Sequence, residues 1–289
     1  MSASWFPGHM AKGLRQMEEY MPYVDVLIET VDARIPASGR SPELATFQER
    51  RPSLLVLNKF DLADPVFLER WLDAYRQAGL PSTAVDAQNR RDIERLEELA
   101  FELGQEKLAR AEARGRGGRP LRVLVLGVPN SGKSTLINRL SGRKARPAEN
   151  RAGVTRAVSW VRSPNKGIEL LDSPGVLWPD ANNPEVLRKL AACSALPDNV
   201  IDRETVAYQS FLMMAEHYPE VLEEVYGIEG PWTLDPSLDY PLYEQGALAR
   251  GCVMSGGRPN LDRFADLFMR DLRTGKLGGV CWDRAPENV

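Results

Sequence analysis

Residues 54–64 read LLVLNKFDLAD, and residues 127–134 read GVPNSGKS. The first hangs Asn58-Lys59-Phe60-Asp61 from the end of a short apolar run. The second sets a Gly-rich turn between the apolar run LRVLVL and the helical pattern KSTLINRLS. It fits G-x-x-x-x-G-K-[ST], in which glycines let the backbone curl so that its N–H groups face phosphate oxygens at a helix N-terminus. The run Pro129-Asn130-Ser131-Gly132-Lys133-Ser134-Thr135 is therefore read as a phosphate cradle. Lys133 neutralises the β- and γ-phosphates, and the Ser134 hydroxyl is a Mg²⁺ ligand.

Asn58, Lys59 and Asp61 match a guanine reader. An Asp carboxylate accepts two hydrogen bonds, from N1–H and the N2 amino group of guanine. Adenine lacks both donors and would leave the acid unpaired. Asn58 is placed to contact N7 and to tie loops together, and the Lys59 stem to pack on the ring. Asp86-Ala87-Gln88, at the end of the next apolar run, resembles a second guanine loop in which the Ala87 N–H meets O6. Asp86 stands there where Ser is usual. Asp172-Ser173-Pro174-Gly175 closes the run IELLDSPG about 40 residues after the phosphate loop. Asp172 suits indirect Mg²⁺ coordination and the Gly175 N–H suits γ-phosphate sensing. Thr155 lies between these motifs, where a mobile loop brings its hydroxyl and carbonyl to Mg²⁺.

The base reader precedes the phosphate loop. A doubly wound sheet needs its strands adjacent in space, not in one fixed order, and ligand loops gather at the strands' carboxyl ends. Joining nearby termini and cutting elsewhere preserves such a site. RGRGGRP (residues 114–120) looks like the join, and the cut falls just after Gly175. Strand-like runs at 24–33, PSLLVLN and 81–87 alternate with helical patterns, which argues for a mostly parallel sheet covered on both faces. The expected architecture is α/β: a doubly wound P-loop GTPase domain with circularly permuted motif order over residues 1–178. A smaller, mainly helical C-terminal domain follows over residues 179–289.

Composition sets the outer bounds. With 289 residues and 43% hydrophobic content the chain can bury one large or two moderate domains. A formal charge of −3 gives no global sign of a nucleic-acid binder. Local charge does vary. Residues 180–244 hold 3 Lys/Arg against 13 Asp/Glu, and residues 245–284 hold 7 against 4. Residues 139–166 carry eight basic residues and one acid, around the loop that would respond to nucleotide, so attraction to an RNA backbone there can follow loop order. Leu261, Phe264, Ala265, Phe268 and Leu272 form an apolar helical face, which leaves Arg263, Arg270 and Arg273 for RNA. Cys193, Cys252 and Cys281 are far apart and read as ordinary thiols in a reducing compartment. No signal peptide or bilayer-spanning run is evident, so a cytoplasmic protein is expected.

The stretches WFPGHMAK, VDARIP, NKFD, GVPNSGKS, GVTR, DSPGVLWP and RTGKLG give the chain a resemblance to the YlqF/RbgA-type ribosome-assembly GTPases over nearly its whole length. The resemblance implies a cytoplasmic GTPase that uses GTP/GDP and Mg²⁺, binds a late large-ribosomal-subunit precursor and leaves after hydrolysis. It also implies Asn130 as a ligand of an activating K⁺, and a C-terminal domain that contacts ribosomal RNA. A monomer with no membrane or DNA partner is expected. The residue after Gly175 is Val176, where many GTPases carry a Gln that orients the attacking water. A valine cannot hydrogen-bond water, so another group must assist. The resemblance points to His9, in FPGHMAK. Two other readings use the same cradle: a guanine-nucleotide-controlled scaffold without hydrolysis, and a P-loop small-molecule kinase.

Overall fold

The structure, a computed structural model, describes residues 7–142, 160–164, 167–172, 183–196 and 202–284. In chain order it forms α1 (Pro7–Tyr20), β1 (Val26–Asp32), α2 (Pro42–Gln48), β2 (Ser53–Asn58), α3 (Pro65–Gln77), β3 (Ser82–Val85) and α4 (Arg90–Ala113). Then come β4 (Leu121–Leu126), α5 (Lys133–Leu140), β5 (Trp160–Arg162) and β6 (Ile168–Asp172). The helices α6 (Pro184–Ala192), α7 (Arg203–His217), α8 (Pro219–Tyr226), α9 (Tyr240–Ala249) and α10 (Leu261–Arg273) complete it.

The strands form one sheet in the order β3-β2-β1-β4-β6-β5. All pairs are parallel except β5 with β6, which is antiparallel. Strand β1 is central and buried along its whole length, as strands covered on both faces must be. Its residue Asp32 is level with Asn58 of β2, so the two strands end together. The helices form where their caps and stripes coincide. Asp64 accepts hydrogen bonds from the Val66 and Phe67 N–H groups to start α3, which then buries Leu68, Trp71 and Tyr75 at helical spacing. Asn89 caps α4 in the same way and Ile93, Leu96 and Ala100 face the sheet.

The RGRGGRP segment does join α4 to β4. Arg119 grips both carboxylate oxygens of Asp25, at 2.7 and 2.9 Å, just ahead of β1. The join thus lies at the amino ends of the strands, away from the loops that carry the motifs.

Helices α6 to α10 pack around an aromatic core of Phe211, Tyr226, Tyr243, Phe264 and Phe268, and the same cluster takes in Ile35 and Val128 from the sheet side. The chain then returns to the sheet. The Val280 N–H donates to the Leu62 carbonyl, Val280 accepts from the Asp64 N–H, and the Trp282 N–H donates to the Arg34 carbonyl. Buried Asp283 accepts from the Ala37 and Ser38 N–H groups, the Ser38 hydroxyl and Lys189 of α6. Burial pushes the Cys193 and Cys281 thiols up to about 12, which suits packed thiols without redox chemistry. Among the described residues no helix is long and apolar enough to cross a membrane.

Candidate nucleotide-binding site

The phosphate loop runs from the carboxyl end of β4 into α5. Asn130 (φ 58) and Gly132 (φ 97) both adopt left-handed backbone, which curls the loop over the start of the helix. A Cβ on Gly132 would sit 1.9 Å from Asn58 Nδ2, so only glycine fits. Lys133 is buried, and its ammonium donates to the Val128 carbonyl at 2.8 Å, folded back across the loop it serves. Ser134 and Thr135 lie in the first turn of α5.

The base-reading residues, more than 70 positions earlier in the chain, meet this loop directly. Asn58 Nδ2 donates to the Ser131 carbonyl at 2.9 Å, and Lys59 Nζ donates to the Asn130 carbonyl at 2.8 Å. The tie between loops expected from Asn58 is therefore present. Two buried polar atoms in the same place, Asn58 Oδ1 and Ser131 Oγ, have no partner among the described residues. A buried orphan costs about 1–3 kcal/mol unless something completes it, and a polar ligand in this cradle would do so. Pro129 directly precedes Asn130 and Ser131 on the loop.

Asp61 follows in a short 3₁₀ turn, Phe60–Leu62. Burial first, and then the neighbouring Asp86 carboxylate, raise the Asp61 carboxyl above the usual aspartate value. The structure thus brings together the two loops expected to meet guanine. Asp86 shapes its own loop: its carboxylate accepts from the Gln88 N–H at 2.7 Å, and its N–H donates to Asp92 at 2.9 Å. Ala87 is buried beside it. Arg139 of α5 hydrogen-bonds the Gln88 side chain across this loop.

The Asn130 amide nitrogen donates to the Ser194 carbonyl at 2.6 Å, at the end of α6. This bond orients the side chain that the resemblance makes a K⁺ ligand. Strand β6 sets Asp172 beside Val125 of β4, next to the phosphate loop, while its side chain lies outside the described residues. Thr155, Gly175 and Val176 also lie outside them, as does the side chain of His9, whose backbone belongs to α1. Of the arginines assigned to RNA, Arg273 is engaged internally, donating to the Ala191 and Ala192 carbonyls at the end of α6. Arg263 and Arg270 are exposed.

One feature of the site escaped the sequence reading. Asp32, at the end of β1, is bound by Arg34 through both carboxylate oxygens and by Lys59 at 2.9 Å. Burial opposes its ionisation, but the Arg34 and Lys59 charges outweigh it and hold the carboxyl well below the usual range. The available signal was VDARIP, which carries Asp32 and Arg34 but not their link to Lys59.

A family profile described as "50S ribosome-binding GTPase" matches residues 122–225, a span that starts at the phosphate strand and leaves out the base reader at 58–61. That omission is what a permuted order produces. The chain is 38% identical to "Ribosome biogenesis GTPase A" of Priestia megaterium over 288 residues, covering 99% of this chain and 98% of that one. Among solved structures it is similar to a GDP-bound YlqF, with a TM-score of 0.66, 26% identity and coverage of 95% and 100%. A GNP-bound YlqF from T. maritima matches with a TM-score of 0.65, 26% identity and coverage of 96% and 100%.

Proposed function

The chain belongs to the ribosome biogenesis GTPase A family, and we propose that it is a GTP hydrolase that serves late assembly of the large ribosomal subunit. It binds the precursor in the GTP state and is released on hydrolysis. The observation that carries this reading is the pair of hydrogen bonds from Asn58 and Lys59 to Ser131 and Asn130, which makes one site of two motifs in permuted order.

In this site Asp61 accepts the N1–H and N2–H donors of guanine, the Lys59 stem covers the ring, and the Ala87 N–H meets O6. Lys133 and the backbone N–H groups of the loop take the phosphate charge. The donor set suits Mg²⁺: Ser134, Thr155 and Asp172 offer oxygens only, the ligands that hard cation prefers. Held by these residues, Mg²⁺ would supply positive charge to offset that of the phosphates. Asn130 offers its amide oxygen to K⁺. Thr155 and Gly175 sense the γ-phosphate, so that nucleotide state sets the loops around them. Val176 cannot orient water, and His9 supplies that hydrogen bond. The helical part beyond residue 178 and the basic segment 139–166 contact ribosomal RNA, with Arg263 and Arg270 among the contacts. The protein acts as a cytoplasmic monomer.

Sedimentation with purified large subunits tests the partner. Co-sedimentation with a non-hydrolysable GTP analogue, falling away with GDP, is expected. Equal recovery with both nucleotides, or none with either, contradicts the proposal.

A further inference from the structure

The guanine reader contains a lysine whose ammonium has two acceptors, and only one belongs to the phosphate loop. Lys59 Nζ lies 2.8 Å from the Asn130 carbonyl and 2.9 Å from Asp32 Oδ2. We propose that Asp32 is a positioning residue of the base-reading loop: its carboxylate, held by Arg34, fixes Lys59 against the phosphate loop and so sets the stem that covers guanine.

Three observations carry this. First, Lys59 has φ 59, a left-handed conformation that a non-glycine residue keeps only where its surroundings hold it. The Asp32 and Asn130 contacts are the restraints on its side chain. Second, the carboxylate itself cannot shift. Arg34 reaches Oδ1 through Nε at 2.9 Å and through its backbone N–H at 3.1 Å, and Oδ2 through Nη2 at 2.8 Å. Arg34 also accepts the Trp282 N–H at its carbonyl, which pins its backbone from the far side. Third, the exposures decide which partner responds. The Arg34 and Asp32 side chains are each 3% exposed, whereas Lys59 is 29% exposed. One buried anion lies between two cations. Neutralising it leaves two like charges close together, and the one with a route to water is Lys59. Loss of the Asp32 charge is therefore felt at the guanine ring.

The inference rests on the reading that Asn58–Asp61 holds guanine, and a double-mutant cycle separates the two. Wild type, Asp32→Asn, Lys59→Met and the double variant are titrated with a fluorescent GDP analogue, and wild type also with ADP. Asp32→Asn is expected to weaken GDP binding by about 10- to 100-fold. In the Lys59→Met background the same substitution should change affinity by no more than about threefold, because its target is gone. An equal loss in both backgrounds, with wild type preferring GDP, shows that Asp32 does not act through Lys59 and overturns the inference alone. Wild type that binds ADP as well as GDP overturns the base-reading assignment and the inference with it. If Asp32→Asn does not fold, the cycle is run in an Arg34→Met parent, where no orphaned guanidinium remains, with the same two outcomes.

Discussion

Asp61 is the residue on which nucleotide choice turns in the proposed complex. Asp61→Asn should lower GTP affinity by about 100-fold or more, since an amide cannot accept both guanine donors. The same variant should gain affinity for xanthosine triphosphate, whose C2 carbonyl can accept from the new amide. Competition binding with the two nucleotides reads both changes, and unaltered GTP affinity would exclude Asp61 from the base contact. The environment of Asp61 also predicts a pH dependence. Binding needs the ionised carboxylate, and burial followed by Asp86 raises its pKa. Affinity is therefore lost as pH falls through that raised value, at a higher pH than an ordinary aspartate would give. Asp86→Ser removes one of the raising influences and should move the acid limb of the binding curve to lower pH. A limb that stays in place would show that the two carboxylates do not interact.

Individual elements were mostly legible because their signals are local. The apolar runs at β1, β2 and β4 and the Leu261–Leu272 stripe each state one element within a dozen residues. The stripe makes a direct test: Phe268→Ala should cost about 3–5 kcal/mol of stability, and Arg263→Ala no more than about 0.5 kcal/mol, both measured by urea unfolding. Similar losses from the two would mean that α10 is not packed by that face. The phosphate loop depends on contact with a distant strand. Gly132→Ala should cost about 1–3 kcal/mol and abolish GDP binding, because its Cβ would collide with Asn58. Wild-type binding in that variant would contradict the tie between the loops. The elements that were not legible are those defined by distant partners. Asp32 gains its role only when β1 and β2 end level, and the segment GGVCWDR, with no period of its own, is fixed by Leu62, Arg34 and Ser38. No window along the sequence contains those contacts.

At the scale of the molecule, the helical part touches the nucleotide loops at named points: Ser194 on Asn130, Trp282 on Arg34 and Val280 beside the turn that follows Asp61. Its placement and the geometry of the site are therefore physically joined. Asp283 anchors the returning segment, accepting from three donors at 37–38 and from Lys189. Asp283→Ala removes the acceptor of two backbone N–H groups and the Ser38 hydroxyl and leaves half-buried Lys189 with Glu185 as its carboxylate partner, and should cost about 1–3 kcal/mol in urea unfolding. A loss under about 1 kcal/mol would show that the returning segment is not an anchor. In the proposed function, such a join would let a change at the γ-phosphate reach the surface that meets the ribosomal particle, and hydrolysis would then reset it. The most direct test is the GTP hydrolysis rate in K⁺ buffer with and without purified large ribosomal subunits, with ATP and Na⁺ as controls. Slow intrinsic turnover, strongly stimulated by subunits and specific for GTP and K⁺, is the predicted result. Tight GTP binding without any stimulation by subunits would contradict a ribosome-assembly GTPase.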